Sequence, residues 1–157
     1  MSITLSNLSR LSHFDTSHEE LYSGRINDTF ALISSVLQRV PRALATSLAS
    51  LIRHQAGYYR FIVLGSSSSP TVQEYINIIR GETLIPNGVL IRIDPDALPT
   101  GLAARNDVIG YLVDDVERRR AAGGKEMEEN VRLCEGFACQ LPVKTLEDVR
   151  KLVLQTQ

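Results

Sequence analysis

The stretch Phe61–Thr71, FIVLGSSSSPT, sets an apolar run against Gly65 and then Ser66, Ser67, Ser68 and Ser69, ahead of Pro70. Serine hydroxyls and backbone N–H groups at the start of a helix can hold an anion, aided by the positive end of the helix dipole. A second pattern is RIDPDALP, where Asp94 and Asp96 follow another apolar run. Two carboxylates beside a polar loop offer the oxygen ligands that Mg²⁺ prefers, and hence a route to phosphoester chemistry. If both runs are parallel strands, loop and aspartates emerge on one edge of a sheet. Ligands of open α/β sheets bind at that edge. Gly65, Ser66–Ser69, Asp94 and Asp96 are therefore the candidate ligand-binding residues.

The same residues have a purely local use. Ser68 or Ser69 can cap the helix with Pro70 in its first turn, and Asp-Pro-Asp suits a turn. The lysine of a GxxxxGK[ST] nucleotide loop is missing from the serine stretch.

A third pattern, ERRRAAGGK, gathers Arg118, Arg119, Arg120 and Lys125. These are the candidate nucleic-acid-binding residues, because such a cluster contacts phosphates. Asp114, Asp115 and Glu117 dilute it, and no aromatic interleaves with it as a single-strand binder requires. The run also suits the last turn of a helix, where positive charge opposes the dipole. His13, His18 and His54 share no zinc-ligand spacing, CEGFAC is not CxxC, and no GxSxG occurs. No catalytic residue, metal or cofactor is expected.

These residues need a scaffold. YYRFIVL reads as a strand covered on both faces. PTVQEYINIIRG places Val72, Ile76 and Ile79 on one helical face, with Tyr75 beside them. PNG at 86–88 is a turn, and VLIRID is a second buried strand. Together they predict a βαβ unit at about 58–93. Upstream, Ile26, Phe30, Ile33, Leu37 and Val40 predict a helix that stops before Pro41. Leu44, Leu48, Leu51 and Ile52 predict the inner face of the next helix, with Gly57 at its end. Residues 1–24 read as a short strand or extended arm, with one helical turn between Asp15 and Gly24. Downstream, Val108, Leu112 and Val116 predict a long helix stopped by Gly123–Gly124. Met127, Val131 and Cys134 predict a shorter one. The alternation Phe137, Cys139, Leu141, Val143 predicts a strand, held to a sheet edge by Pro142. Thr145 and Asp148 predict the cap of a last helix.

The chain has 157 residues, 43% hydrophobic and 22% charged, with net charge −1. That is the make-up of one globular domain with its own core, without a global basic excess. Apolar runs such as Phe61–Leu64 fall far short of the roughly 20 residues that span a bilayer. The N-terminus lacks the pattern of a signal peptide. Two cysteines are too few for a disulfide framework, so reduced thiols and a cytoplasmic location are expected, with no membrane partner.

The expected fold is α/β or α+β, a helix-rich single domain over 1–157 with a small, mostly parallel sheet. The expected function is a non-catalytic protein-interaction or assembly module, self-associating as a homo-oligomer or bound to a protein partner. The alternatives are a small phosphate-ester-binding or Mg-dependent enzyme using Ser66–Ser69 with Asp94 and Asp96, and a nucleic-acid-associated assembly factor using Arg118–Arg120.

Overall fold

The computed structural model describes residues 2–81, 88–123, 128–135 and 138–156. The turn expected at 86–88, and Gly124, Lys125, Met127 and Phe137, lie wholly or partly outside them. Helices α1 (Ser2–Phe14), α2 (Glu19–Arg39) and α3 (Ala45–Ala56) come first. Then follow β1 (Tyr59–Leu64), α4 (Pro70–Gly81) and β2 (Gly88–Ile93). The remainder is α5 (Thr100–Ala103), α6 (Asp107–Ala121), β3 (Asn130–Glu135), β4 (Ala138–Cys139) and α7 (Leu146–Leu154).

The sheet has four strands in the order β2-β1-β3-β4. Strands β1 and β2 are parallel, as the βαβ reading expects, with Leu64 opposite Ile93. The pairs β1–β3 and β3–β4 are antiparallel. The sheet is thus mixed, and the expectation of a mostly parallel sheet is corrected: the fold belongs to the α+β class. The cause is β3, which the sequence reading had as a helix. Val131 and Cys134 are three residues apart, a spacing that suits one helical face. In the strand, Val131 and Leu133 face one layer and Cys134 the other, so both faces are apolar and no alternation shows.

One face packs Phe61, Val63, Val131 and Leu133 against α4 and α7, through Val72, Ile79, Val149 and Val153. The other packs Ile62, Leu64, Ile91 and Ile93 against α6, through Ile109, Leu112, Val113 and Val116. Thr145 caps α7 by accepting from Asp148 N–H, as expected.

The N-terminal arm is also corrected. Residues 2–14 are helical, and α2 runs straight through Gly24. Leu5, Ser9 and Ser12 form the buried face of α1, at spacings of four and three. The inner face of α3 is likewise Ser47 and Ser50, while Leu48 and Ile52 face outward, opposite to expectation. Small side chains let helices approach closely, and a hydrophobicity pattern does not register them. α2 follows its spacing at four of the five positions: Ile26 and Ile33 are buried, with Phe30 and Leu37 packed beside them, while Val40 lies just past the helix end and is exposed, contrary to expectation.

Asn106 joins the helical unit to the sheet unit. Its Oδ1 accepts from Ile109 N–H at 3.2 Å and caps α6. Its Nδ2 donates to the carbonyls of His13 at 3.1 Å and Phe14 at 3.2 Å, at the end of α1. Thr16 reinforces the joint by bonding Arg105 O and Asp107 N–H. Asn106→Ala is expected to lower stability by about 1–3 kcal/mol, because buried carbonyls lose their donor and a cap is lost. Asn106→Asp keeps the cap but turns a carboxylate oxygen toward both carbonyls at neutral pH, and is expected to cost at least as much as Asn106→Ala. Urea unfolding at neutral pH measures both.

Candidate functional site

The parallel β1–β2 pair delivers the serine loop and the aspartates to one edge. Gly65 N–H bonds Ile93 O at 3.1 Å, so the two strands end level. Gly65 has φ +152°, and a Cβ there would lie 2.5 Å from Val72 Cγ2 and 3.1 Å from Glu129 Cγ. Only glycine fits this departure from β1. Ser69 O accepts from Gln73 N–H at 3.2 Å, and Ser69 Oγ lies 3.5 Å from Val72 N, which places Ser69 at the cap of α4. Ser66 and Ser68 share a hydroxyl–hydroxyl bond of 3.0 Å, and Gln73 Nε2 donates to Ser67 O at 3.0 Å.

Asp94 is buried at the turn after β2. Its Oδ2 accepts from Ser67 N–H at 2.9 Å, and its Oδ1 accepts from Asp96 N–H at 3.0 Å. Burial alone would raise its pKa. The hydrogen bonds from Asp96 N–H and Ser67, with the charge of Arg92, outweigh that and hold the carboxyl below the ordinary carboxylate range. Asp94 therefore occupies the place an external anion would take: a carboxylate of the chain itself meets the loop N–H ahead of α4. Asp96 points outward and pairs with Arg120 at 3.0 Å. Among the described residues, no three His, Cys, Asp or Glu side chains stand together as a metal would require.

Arg118–Arg120 fall in the last turn of α6 and have local partners. Arg118 Nε donates to Asp114 O at 3.3 Å, Arg119 pairs with Asp115 at 2.9 Å, and Arg120 takes Asp96.

A buried polar cluster lies where α1, α3 and β1 meet, and sequence reading missed it. Ser9 Oγ lies 3.1 Å from Tyr58 OH and 3.5 Å from His54 Nδ1. The rings of His13 and Tyr58 are 4.2 Å apart. Arg60 is 4% exposed, and its Nε and Nη1, like His13 Nε2, have no hydrogen-bond partner. Burial, then the charges of Arg60 and His54, lower the His13 pKa to about 4, and burial also lowers that of His54. Nearby, Asp15 accepts from Ser17 Oγ at 2.6 Å, His18 Nδ1 at 3.0 Å and Tyr22 OH at 3.0 Å, and the bonds from Ser17 and His18 help bring its pKa to about 2. Separations as wide as Ser9 to Tyr58 leave no local motif, so nothing in the sequence flagged this cluster.

No family model and no solved structure matches the chain. A curated protein of Caenorhabditis elegans, "Uncharacterized protein B0495.5", is 28% identical over 152 residues, which are 96% of this chain and 18% of that protein. The chain thus spans less than a fifth of that relative.

Two outcomes follow from this geometry. Gly65→Ala is expected to cost about 1–3 kcal/mol through strain at positive φ and the clash with Val72; thermal and urea unfolding would show it. The pH dependence comes from His13 and His54. Their folded pKa values lie below the unfolded 6.5, so the unfolded chain binds more protons as pH falls. The His13 share is full above pH 6.5 and declines toward about pH 4, and the His54 share declines in the same direction. Asp15 is shifted in the same direction but in a lower range, and its share goes only as pH falls from its unfolded 3.8 toward about 2. His13→Phe should flatten the urea midpoint between pH 7 and pH 4.5, and an unchanged slope would contradict the assignment.

Proposed function

We propose that this domain is a protein-interaction module that docks an apolar helical surface through the outward faces of α2 and α3. The observation that carries this reading is an unpartnered apolar stripe. Leu32, Val36 and Val40 recur every four residues along and just beyond α2, and Leu32 is 79% exposed. Leu48 and Ile52 form a second exposed apolar pair at the same spacing on α3, with Ile52 57% exposed. Residues four apart form the ridge that helices interlock in their commonest packing, so a helix with a matching ridge is the fitting occupant. The C. elegans relative carries the matched region as 18% of its length, and so has further chain from which such helices can come in that protein.

The phosphate-ester reading draws less support. Serine loop and aspartates do share an edge, but both Asp94 oxygens are engaged by backbone N–H groups. The nucleic-acid reading draws less still, since each arginine of its run has an acidic or carbonyl partner. Among the described residues, no helix is long and apolar enough to cross a membrane.

The test is a photo-crosslinking residue placed at Val36, with Asn27 on another face of α2 as control, in the full chain in its native cells. The expected result is an adduct with one other polypeptide from position 36 alone, abolished by Leu32→Glu in the same chain. An adduct between two copies, with dimer mass in ultracentrifugation, would replace the partner by self-association. No position-specific adduct from a monomeric protein would end the interaction reading.

A further inference from the structure

The Cys134–Cys139 disulfide corrects the expectation of reduced thiols and of Cys134 on a helix. The two residues face each other across the β3–β4 pair. They are unlike in exposure: Cys134 is fully buried, and Cys139 is exposed on the edge strand. The bond closes a loop with a sequence separation of only five, where cross-linking gains least from chain entropy. The strands it joins are already paired by the ladder.

Cys139 also lines a hollow of about 370 Å³ between the first half of α6 and the sheet edge. The other lining residues are Asp107, Val108, Tyr111, Leu112 and Arg132. Tyr111 stands 63% exposed. Arg132 lies on the same sheet face as Cys134, opposite Ile62, and its buried Nε has no hydrogen-bond partner. An attackable sulfur, an apolar seat and an uncommitted guanidinium therefore meet in one hollow. A cation beside a cysteine favours the thiolate.

We propose that Cys134–Cys139 is a thiol–disulfide exchange centre, with Cys139 as the sulfur attacked by a substrate thiol seated against Tyr111, Val108 and Leu112. In the first step a substrate thiolate attacks Cys139 Sγ. The new substrate–Cys139 bond forms as the Cys134–Cys139 bond breaks, and the electron pair leaves on Cys134, which takes a proton. A second substrate thiolate then attacks the sulfur of the first, and Cys139 leaves as thiolate beside Arg132. Two thiols are oxidised to one disulfide, and the protein disulfide is reduced to a dithiol. Arg132 acts as a positioning residue by stabilising the departing Cys139 thiolate. This centre is independent of the α2–α3 surface.

The test begins with the wild-type oxidised protein, mixed separately with glutathione and with a reduced single-cysteine peptide, then quenched by alkylation and mapped by mass spectrometry. The expected result is a mixed disulfide on Cys139 and not on Cys134, formed at least tenfold faster than with oxidised glutathione as the acceptor. Faster reaction of the peptide assigns polypeptide thiols, faster reaction of glutathione assigns small thiols, and either supports the centre. A rate no greater than that of oxidised glutathione, or adducts on both cysteines alike, overturns it. The pH profile of iodoacetamide alkylation in Cys134→Ser tests Arg132. Cys139 should titrate below the ordinary thiol value of about 8.5 and move up when Arg132→Met is added, with Arg132→Lys partly restoring it. An ordinary, Arg132-independent profile overturns the role of Arg132. The wild-type mapping stands whether or not the variants fold.

Discussion

A buried amide is the central link between the helical unit and the sheet unit. Asn106 has an acceptor and a donor group on one rigid plane, and the fold uses both at once. The acceptor starts α6, which packs on one face of the sheet. The donor ends α1, the helix on which both α2 and α3 pack. A cap residue of the Ser, Thr or Asp type could start α6 equally well, but none of them pairs a capping oxygen with a separate NH2 group whose two N–H donors reach both the His13 and Phe14 carbonyls. The placement of α1 brings His13 onto Tyr58 and sets the polar cluster over β1. The Thr16 bonds to Arg105 and Asp107 and the Ser9–Tyr58 bond fix the same placement of α1.

The serine loop shows how a ligand-like motif can be self-satisfied. A glycine exit from a strand, a run of hydroxyls and a helix start together make an anion-favouring corner. Here β2 ends level with β1 and supplies the anion itself. Asp94 is short, so its carboxylate reaches only Ser67 N–H and the N–H of its own turn, and both oxygens are taken. Its lowered pKa keeps that anion charged. Gly65 is what allows the loop to come close enough for this contact, since any Cβ there would meet Val72.

Much of this was legible wherever burial is apolar. The spacing of Ile26, Phe30, Ile33 and Leu37 marks α2, the continuous run Phe61–Leu64 marks a doubly covered β1, and Val72, Tyr75, Ile76 and Ile79 mark α4. The shared edge of loop and aspartates followed from the parallel pair. What escaped was burial by other chemistry. α1 and α3 bury serines, so their inner faces look polar and the outward Leu48 and Ile52 look like the core. β3 is apolar on both faces, so its residues fit a helical spacing as readily as a strand. The cluster of Ser9, His13, His54, Tyr58 and Arg60 draws on distant parts of the chain and leaves no local trace. Cys134 and Cys139 were read one by one, and their pairing needed the β3–β4 register.

The same inversion explains the surface. A helix whose inner face is serine still has to place its leucines and isoleucines somewhere, and α3 places them outside. The serines that α1 and α3 bury, Ser9, Ser12, Ser47 and Ser50, contribute little hydrophobic stabilisation, since few apolar side chains are removed from water there. The helical unit is correspondingly lean in its own core, with Leu5, Ile26 and Ile33 fully buried in it. The sheet unit, by contrast, buries two full apolar layers. An apolar ridge left on the leaner unit is where added burial would stabilise the domain most, which joins the helical unit's stability to whatever covers Leu32, Val36 and Ile52.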